Sequence, residues 1–463
     1  MTTTTAFKYQ AGFGNELESE AVEGALIKGR NNPKTVPLGL YTEQLSGTAF
    51  TCPRHTNQRT WLYRQQPSVI HNVHKFQSTR MYFGQEDPTV GILDPNPLRW
   101  QPFLEDDNLV RDKDFVSGMH LLGGSGDPST KNGLAIYIYL AGTSMHNRHL
   151  SNSDGDFLIL PQQGTLEITT ELGKLQVAPG EFCVIPRGII FQVHVDLSDS
   201  SDSKSSFHAA RGYVLEIYKG HFSLPELGPI GSNGLANARD FQYPVAWYEP
   251  QETSTSSSTL FNKFGSQLWS KPIATSPYNV VAWHGTYLPF KYNLANFCAV
   301  NSVTFDHLDP SIYTVLTVAG DDPGTALVDF VIFPPRWMST DANTFRPPWF
   351  HRNTMTEFMG LLSGSYDAKT SAFSPGGASL HSCMTPHGPD SASYHKNVVA
   401  PCDTPTKLDG GLAFMFETSC MLKLSNFALR NPGLEDAYGE CWKDLPNEFV
   451  NKMALPSTPA EEM

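Results

Sequence analysis

The sequence predicts a mostly β protein of two consecutive barrel-like or sandwich-like domains with few short helices, and three observations predict it. At 463 residues the chain exceeds the roughly 250–300 residues at which one hydrophobic core stops growing, so two domains are expected. Gly (37) and Pro (34) are both plentiful, which favours short strands and turns, because neither residue is at ease inside a helix. β-branched and aromatic runs recur at hairpin spacing in two separate blocks.

The first ~120 residues carry turn signals (GFGN, LSGTAFTCPR, DPNPLRW) between short apolar runs. Strand-like runs follow: GLAIYIYLAG (133–142), GDFLILP (155–161), GTLEITTELGKLQV (164–177), EFCVIPRGIIFQVHV (181–195) and RGYVLEIYKG (211–220). The order strand, PGE (179–181), strand, IPRG (185–188), strand is the pattern of cupin-type jelly rolls. There Pro-Gly makes a tight turn and a second glycine lets the chain bend at a barrel corner. This first cupin-like barrel shows no ligand set. Its nearest candidates, His146 and His149 in HNRH, sit in a Gly/Ser/Asn-rich stretch expected at the surface. LSDSSDSKSS (197–206) and ETSTSSST (252–259) are too polar to bury anything and predict solvated loops.

A second block runs through NVVAWHG (279–285), NFCAVNSVTFDH (296–307), SIYTVLTVAG (311–320), ALVDFVIFP (326–334) and LAFMFETSCMLKL (412–424). The expected division is an N-terminal domain over 1–294 with a degenerate cupin-like barrel and a C-terminal cupin-like catalytic domain over 295–463. A short helix is expected near the end, within 434–449.

Composition narrows function. The net charge of −13 is spread without a basic block, which disfavours nucleic acid and anionic membranes as partners because both demand clustered Lys and Arg. An anionic small substrate would need local basic residues; Arg352 and Lys291 are candidates by position and composition alone. No run approaches the ~18 apolar residues of a membrane span, and the first residues carry no apolar signal core, so a cytoplasmic protein is expected. The cysteines, at 52, 183, 298, 383, 402, 420 and 441, are odd in number and contain no C-x-x-C pair. Buried free thiols in a reducing compartment are therefore expected rather than disulfides or a cysteine zinc site.

The chemistry concentrates in FRPPWFHRNTMTEFMG (345–360), where His351 and Glu357 lie six positions apart. Pro347 and Pro348 keep a helix from entering. In an extended strand an even spacing puts both side chains on one face, whereas a helix would set them about 240° apart. His381 and His387 follow in SLHSCMTPHGPD (379–390), and either could be a second imidazole. One carboxylate with two imidazoles matches the facial triad of non-haem Fe(II) oxygenases. That set leaves a divalent ion one net positive charge and three open positions for a substrate oxygen and O₂. GGSGDPSTKNG (123–133) fails as a phosphate loop, since Asn132 follows Lys131, and as a nucleophile elbow, since Asp127 takes the last position.

FPPRW (333–337), FRPPWFHRNTMTEFMGLL (345–362), GGASLHSCMTPHGPD (376–390), NPKTVPLGLYTEQLSGTAFTCPR (32–54), SNSDGDFLI (151–159) and LGPIGSNGLANARDF (227–241) together resemble the homogentisate 1,2-dioxygenase family over nearly the whole chain. The resemblance implies a two-domain bicupin-like fold, a homohexamer built as a dimer of trimers, and Fe(II)-dependent cleavage of homogentisate by O₂ to maleylacetoacetate in tyrosine and phenylalanine catabolism. It carries the iron ligands onto His351, Glu357 and His387, leaving His381 outside the set. The proton-accepting histidine falls on His307 and the substrate-contacting tyrosine on Tyr366, with His387 also against substrate. Trp349-Phe350, one extra residue within 338–345, and the 197–206 insertion depart from the family pattern without touching a ligand. Two rival readings are a metal-dependent cupin isomerase, which would work without O₂, and a non-catalytic bicupin binding protein, which would tolerate loss of the ligands.

Overall fold

The computed structural model describes residues 7–29, 33–103, 110–198, 209–226, 234–250, 258–301, 308–338, 343–366, 368, 373–401 and 403–450. Strands dominate them. They form a nine-stranded, a seven-stranded, a six-stranded and a four-stranded sheet and two two-stranded ribbons. The middle strands of the nine-stranded sheet, Asn132–Ala141 and Ala210–Ile217, are buried along nearly their whole length. That explains why GLAIYIYLA reads as a continuous apolar run rather than an alternation: both faces of the sheet are covered.

The turns predicted from PGE and IPRG are present. Gly180 and Gly188 adopt φ of +89° and +85°, a conformation that glycine reaches without a Cβ penalty. They separate the strands Gly173–Val177, Glu181–Ile185 and Ile190–Asp196. The long run 164–177 is itself a hairpin, with Thr165–Thr170 paired to Gly173–Val177. Towards the end of the chain the predicted helix is a short 3₁₀ turn, Tyr438–Trp442.

The six-stranded sheet matters most for function. Its order is Thr314–Ala319, Ala326–Phe333, Leu412–Thr418, Thr356–Ser363, Ala378–His381 and Leu98–Trp100. Side chains alternate across it with the period of two that strands impose. Phe330, Phe358, Phe414 and Phe416 point into the main core, where truncating one such ring to alanine costs about 3–5 kcal/mol. Val331, Met359, Leu361, Ala413 and Met415 face the other way, against Tyr366 and Phe373. That inner face is the wall of a cavity.

Two short strands cross between the halves of the chain. Leu98–Trp100 pairs with Ala378–Leu380 in the six-stranded sheet, and Lys423–Leu424 pairs with Gly123–Gly124 in the nine-stranded one. Cys183 is buried and Cys298 exposed, with Cys52, Cys383, Cys420 and Cys441 in between, all as free thiols. Burial of the cysteines is thus less general than expected.

Candidate metal centre

The polar level of the inner face is set by strand register. Asp329 lies opposite Glu417, Glu417 opposite Glu357, and Glu357 opposite His381. Four ionisable side chains therefore stand in one row across four strands, at the end of a sheet whose next levels are apolar.

His351 joins this row by a route different from the one its spacing predicts. The strand bearing Glu357 starts only at Thr356, and His351 precedes it in a turn. His351 is held there by a two-residue bridge to His387, with backbone N–H to carbonyl bonds of 2.9 and 3.0 Å in both directions. Asn353 stabilises the turn between them: its Oδ1 accepts from the Met355 N–H, and its Nδ2 donates to Glu357 Oε1 at 2.9 Å. His351 and Glu357 do meet on one side, but through this turn and not through a continuous strand.

The ligand atoms of His351, Glu357 and His387 all lie within 4.8 Å of one another, and among the described residues no other such trio of His, Cys, Asp or Glu occurs. His387 Nε2 is 3.0 Å from Glu357 Oε2, and His351 Nε2 is 3.9 Å from Oε1. Both imidazoles face their backs to the protein. His351 Nδ1 lies 2.7 Å from the Trp349 carbonyl and His387 Nδ1 2.9 Å from that of Thr385. A carbonyl can only accept, so each Nδ1 carries a proton and each Nε2 is turned to the common centre, where it donates to Glu357 when protonated and offers a lone pair to a cation when not. This is the orientation that metal-ligating histidines adopt.

Electrostatics agree with a cation site. Burial would push the Glu357 carboxyl up, but the hydrogen bond and charge of His387, the charge of His351 and the Asn353 amide outweigh it and hold the group below its ordinary range. Its neighbour goes the other way. Burial first, then the negative charges of Glu357 and Asp329, pushes Glu417 up to about 8. Two carboxyls side by side do not both ionise readily, and here Glu357 keeps the charge while Glu417 keeps the proton. A divalent cation fits this donor set: two neutral nitrogens, one anionic oxygen, and a supporting hydrogen bond behind each.

The trio opens into a cavity of about 130 Å³ that is also lined by Tyr366, Phe333, Met359, Met415 and Glu417. The basic side chains of this wall are Arg336 and Arg346. Arg336 is 9% exposed, with its guanidinium 5.1 Å over the Tyr313 ring. Arg346 is half-buried and donates to Thr404 and Thr406. The sequence candidates are elsewhere: Lys291 is bound to Glu181 at 2.9 Å and Arg352 is exposed outside the cavity wall. A larger groove of about 1400 Å³ runs past His146, His149 and Glu167 and shares no lining residue with the trio.

Tyr366 stands in the cavity wall, its ring edge-on to Phe333 at 5.6 Å. His307 lies outside the described residues, as does most of the 197–206 insertion. His381 is on the cavity wall but turns its Nε2 away, to the Tyr438 hydroxyl at 3.0 Å. In HNRH, His146 is exposed as expected, but His149 is buried on the strand Arg148–Asn152 and bonded to the Tyr278 hydroxyl at 3.0 Å. The partner ring comes from 129 residues away, which no local polarity signal could reveal. Sequence reasoning also missed Asn353 and Glu417; strict alternation through FMFET, with both phenylalanines in the core, is the signal that would have turned Glu417 inward.

Residues 8–294 match the family model described as homogentisate 1,2-dioxygenase N-terminal, and residues 295–449 the one described as homogentisate 1,2-dioxygenase C-terminal. The chain is 53% identical over 442 residues to the homogentisate 1,2-dioxygenase of Dictyostelium discoideum, covering 95% of this chain and 97% of that one. It is 50% identical over 459 residues to that of Homo sapiens, covering 98% and 99% respectively. Among solved structures, a cupin 2 conserved barrel domain protein from Leptotrichia buccalis covers 71% of this chain and 99% of its own at 11% identity and a TM-score of 0.26, too distant to carry any argument.

Proposed function

The chain belongs to the homogentisate 1,2-dioxygenase family and is an enzyme that cleaves the ring of homogentisate with O₂; we propose that it does so with Fe(II) held by His351, Glu357 and His387. The observation that carries the metal assignment is the convergence of those three side chains within 4.8 Å at the wall of a cavity. Fe(II) held by these three residues would supply Lewis-acid and redox chemistry towards a ring oxygen and O₂.

The remaining work falls to the chain. The carbonyls of Trp349 and Thr385 hold the two Nδ1 protons and so aim both Nε2 atoms at the shared centre. Glu357 supplies the single negative charge, so a site with a divalent ion keeps one positive charge to favour a phenolate. His307 takes the proton of the hydroxyl ortho to the acetate group, a role suited to an unperturbed pKa of about 6.5. Its support is the family pattern in VTFDH and the next residues, Leu308 and Asp309, which line the cavity. Tyr366 donates to or accepts from the remote hydroxyl, and His387 also lies against the ring. The product is maleylacetoacetate.

The same reading extends to the whole molecule: domains over 1–294 and 295–463, a homohexamer arranged as a dimer of trimers, and a cytoplasmic location. For the last, no described helix is long and apolar enough to cross a membrane. Oxygen uptake with homogentisate, measured before and after an Fe(II) chelator, tests the reading. Uptake that chelation abolishes and Fe(II) restores supports it. Uptake indifferent to chelation, or restored by zinc alone, overturns it.

A further inference from the structure

We propose that His381, which is not a ligand, is a positioning residue that fixes the ring plane of His387; the role rests on the metal-site reading above. His387 stands in the loop Thr385-Pro386-His387-Gly388, bridged through its backbone to His351, and that backbone pairing does not fix the torsions of its ring. The first restraint is polar: Nδ1 on the Thr385 carbonyl and Nε2 on Glu357 at 3.0 Å hold the two nitrogens but let the ring tilt about the line that joins them. The second restraint is a stack: the His381 and His387 rings lie 4.1 Å apart, centroid to centroid, with their planes only 3° from parallel. His351 meets the same ring edge-on, at 4.3 Å and 63°, and cannot set its plane.

A stacking partner positions another ring only if it is itself immobile, and His381 is. It ends the strand Ala378–His381, in register with Glu357, and is 2% exposed. Its Nε2 is bonded to the Tyr438 hydroxyl at 3.0 Å. Tyr438 is 1% exposed and carries the Arg99 guanidinium 4.5 Å over its ring, while Arg99 is bound in turn through Nε and Nη2 to Glu435. Arg99 belongs to Leu98–Trp100, the strand that crosses over from the first half of the chain to pair with Ala378–Leu380. A column of planar groups thus runs from that strand through Tyr438 and His381 to His387. Groups behind metal ligands that fix ligand orientation are typically worth 10–100-fold in metal affinity.

The test measures Fe(II) affinity of the full-length protein, anaerobically and without homogentisate, together with the ligand-field spectrum of the Co(II)-loaded protein. His381→Ala removes the stack and is expected to weaken Fe(II) binding by about 10–100-fold and to shift the Co(II) bands. His381→Phe restores a flat face and is expected to recover most of that loss, although it forfeits the same hydrogen bond. Tyr438→Phe deletes one oxygen, disturbs folding least, and is expected to weaken binding by a few-fold. Folded variants that all hold Fe(II) within twofold of the parent, with an unchanged Co(II) spectrum, overturn the positioning role and leave the ligand assignment standing. A His381→Phe protein as weak as His381→Ala also overturns it, because a purely structural requirement for imidazole predicts no rescue. Failure of the parent itself to bind Fe(II) would instead bring down the metal reading, and this role with it.

Discussion

Two buried polar clusters in this molecule use the same ingredients to opposite ends. In the first half, Lys263 lies between Asp154 and Glu216, at 2.5 and 2.9 Å, with neither Lys263 nor Glu216 exposed at all. Asn152 and the Tyr137 hydroxyl donate to Glu216, and the Gly265 and Ser266 N–H groups donate to Asp154. Every charge is met by the protein, and the cluster is closed. In the second half, Glu357 is met by two imidazoles and one amide, and the Nε2 atoms of those imidazoles converge on a centre that opens to a cavity. The difference is the source of the cation: a lysine of the chain supplies it in one cluster, and on the proposed reading a divalent ion would supply it in the other. A barrel becomes catalytic, on this view, where the chain leaves a positive charge to be brought in.

The comparison can be broken at either end. Glu357→Ala should abolish Fe(II) binding and oxygen uptake, because the only anion of the donor set is gone; metal analysis showing full iron stoichiometry would refute the assignment. His307→Ala should keep its iron yet lose about 10²–10⁴-fold in turnover at saturating homogentisate. Turnover within a few-fold of the parent would remove His307 from the base role. Lys263→Met should cost about 3–5 kcal/mol of stability, since it strands two buried carboxylates. Denaturant unfolding of the metal-free protein would detect it, and the closed cluster would prove dispensable if the midpoint stayed put.

The smallest effect is on pH dependence, again in the first half. Burial pulls His71 and His149 down to about 4 from their ordinary value near 6.5. The unfolded chain therefore binds more protons between those limits, so stability is complete above about 6.5 and is lost as pH falls toward 4. Denaturation midpoints across that window should decline in the parent, and less steeply in His71→Gln. An equal slope in both would remove His71 from the account.

How far the sequence carried the structure differs between these regions for physical reasons. Strand content was legible because alternation, β-branching and Gly-Pro turns are local properties, and PGE and IPRG marked their turns correctly at Gly180 and Gly188. The crossing strands Leu98–Trp100 and Lys423–Leu424 were not, since three or two residues carry no period and pair only with distant partners. His351 and Glu357 were singled out by even spacing in a helix-hostile segment, yet a turn built on Asn353 is what unites them. Spacing left His381 and His387 equal as candidates. In space they divide the work, His387 turning Nε2 to Glu357 and His381 turning its own to Tyr438. Burial of His149 and the inward turn of Glu417 depended on tertiary neighbours, to which composition is blind.

The most direct measurement is an anomalous difference map from crystals of the iron-loaded protein, with data collected on both sides of the iron absorption edge. The account predicts one peak within bonding distance of His351 Nε2, His387 Nε2 and a Glu357 oxygen, with His381 stacked behind and unbonded. A peak bonded to His381 in place of His387, or lying away from Glu357, would contradict it.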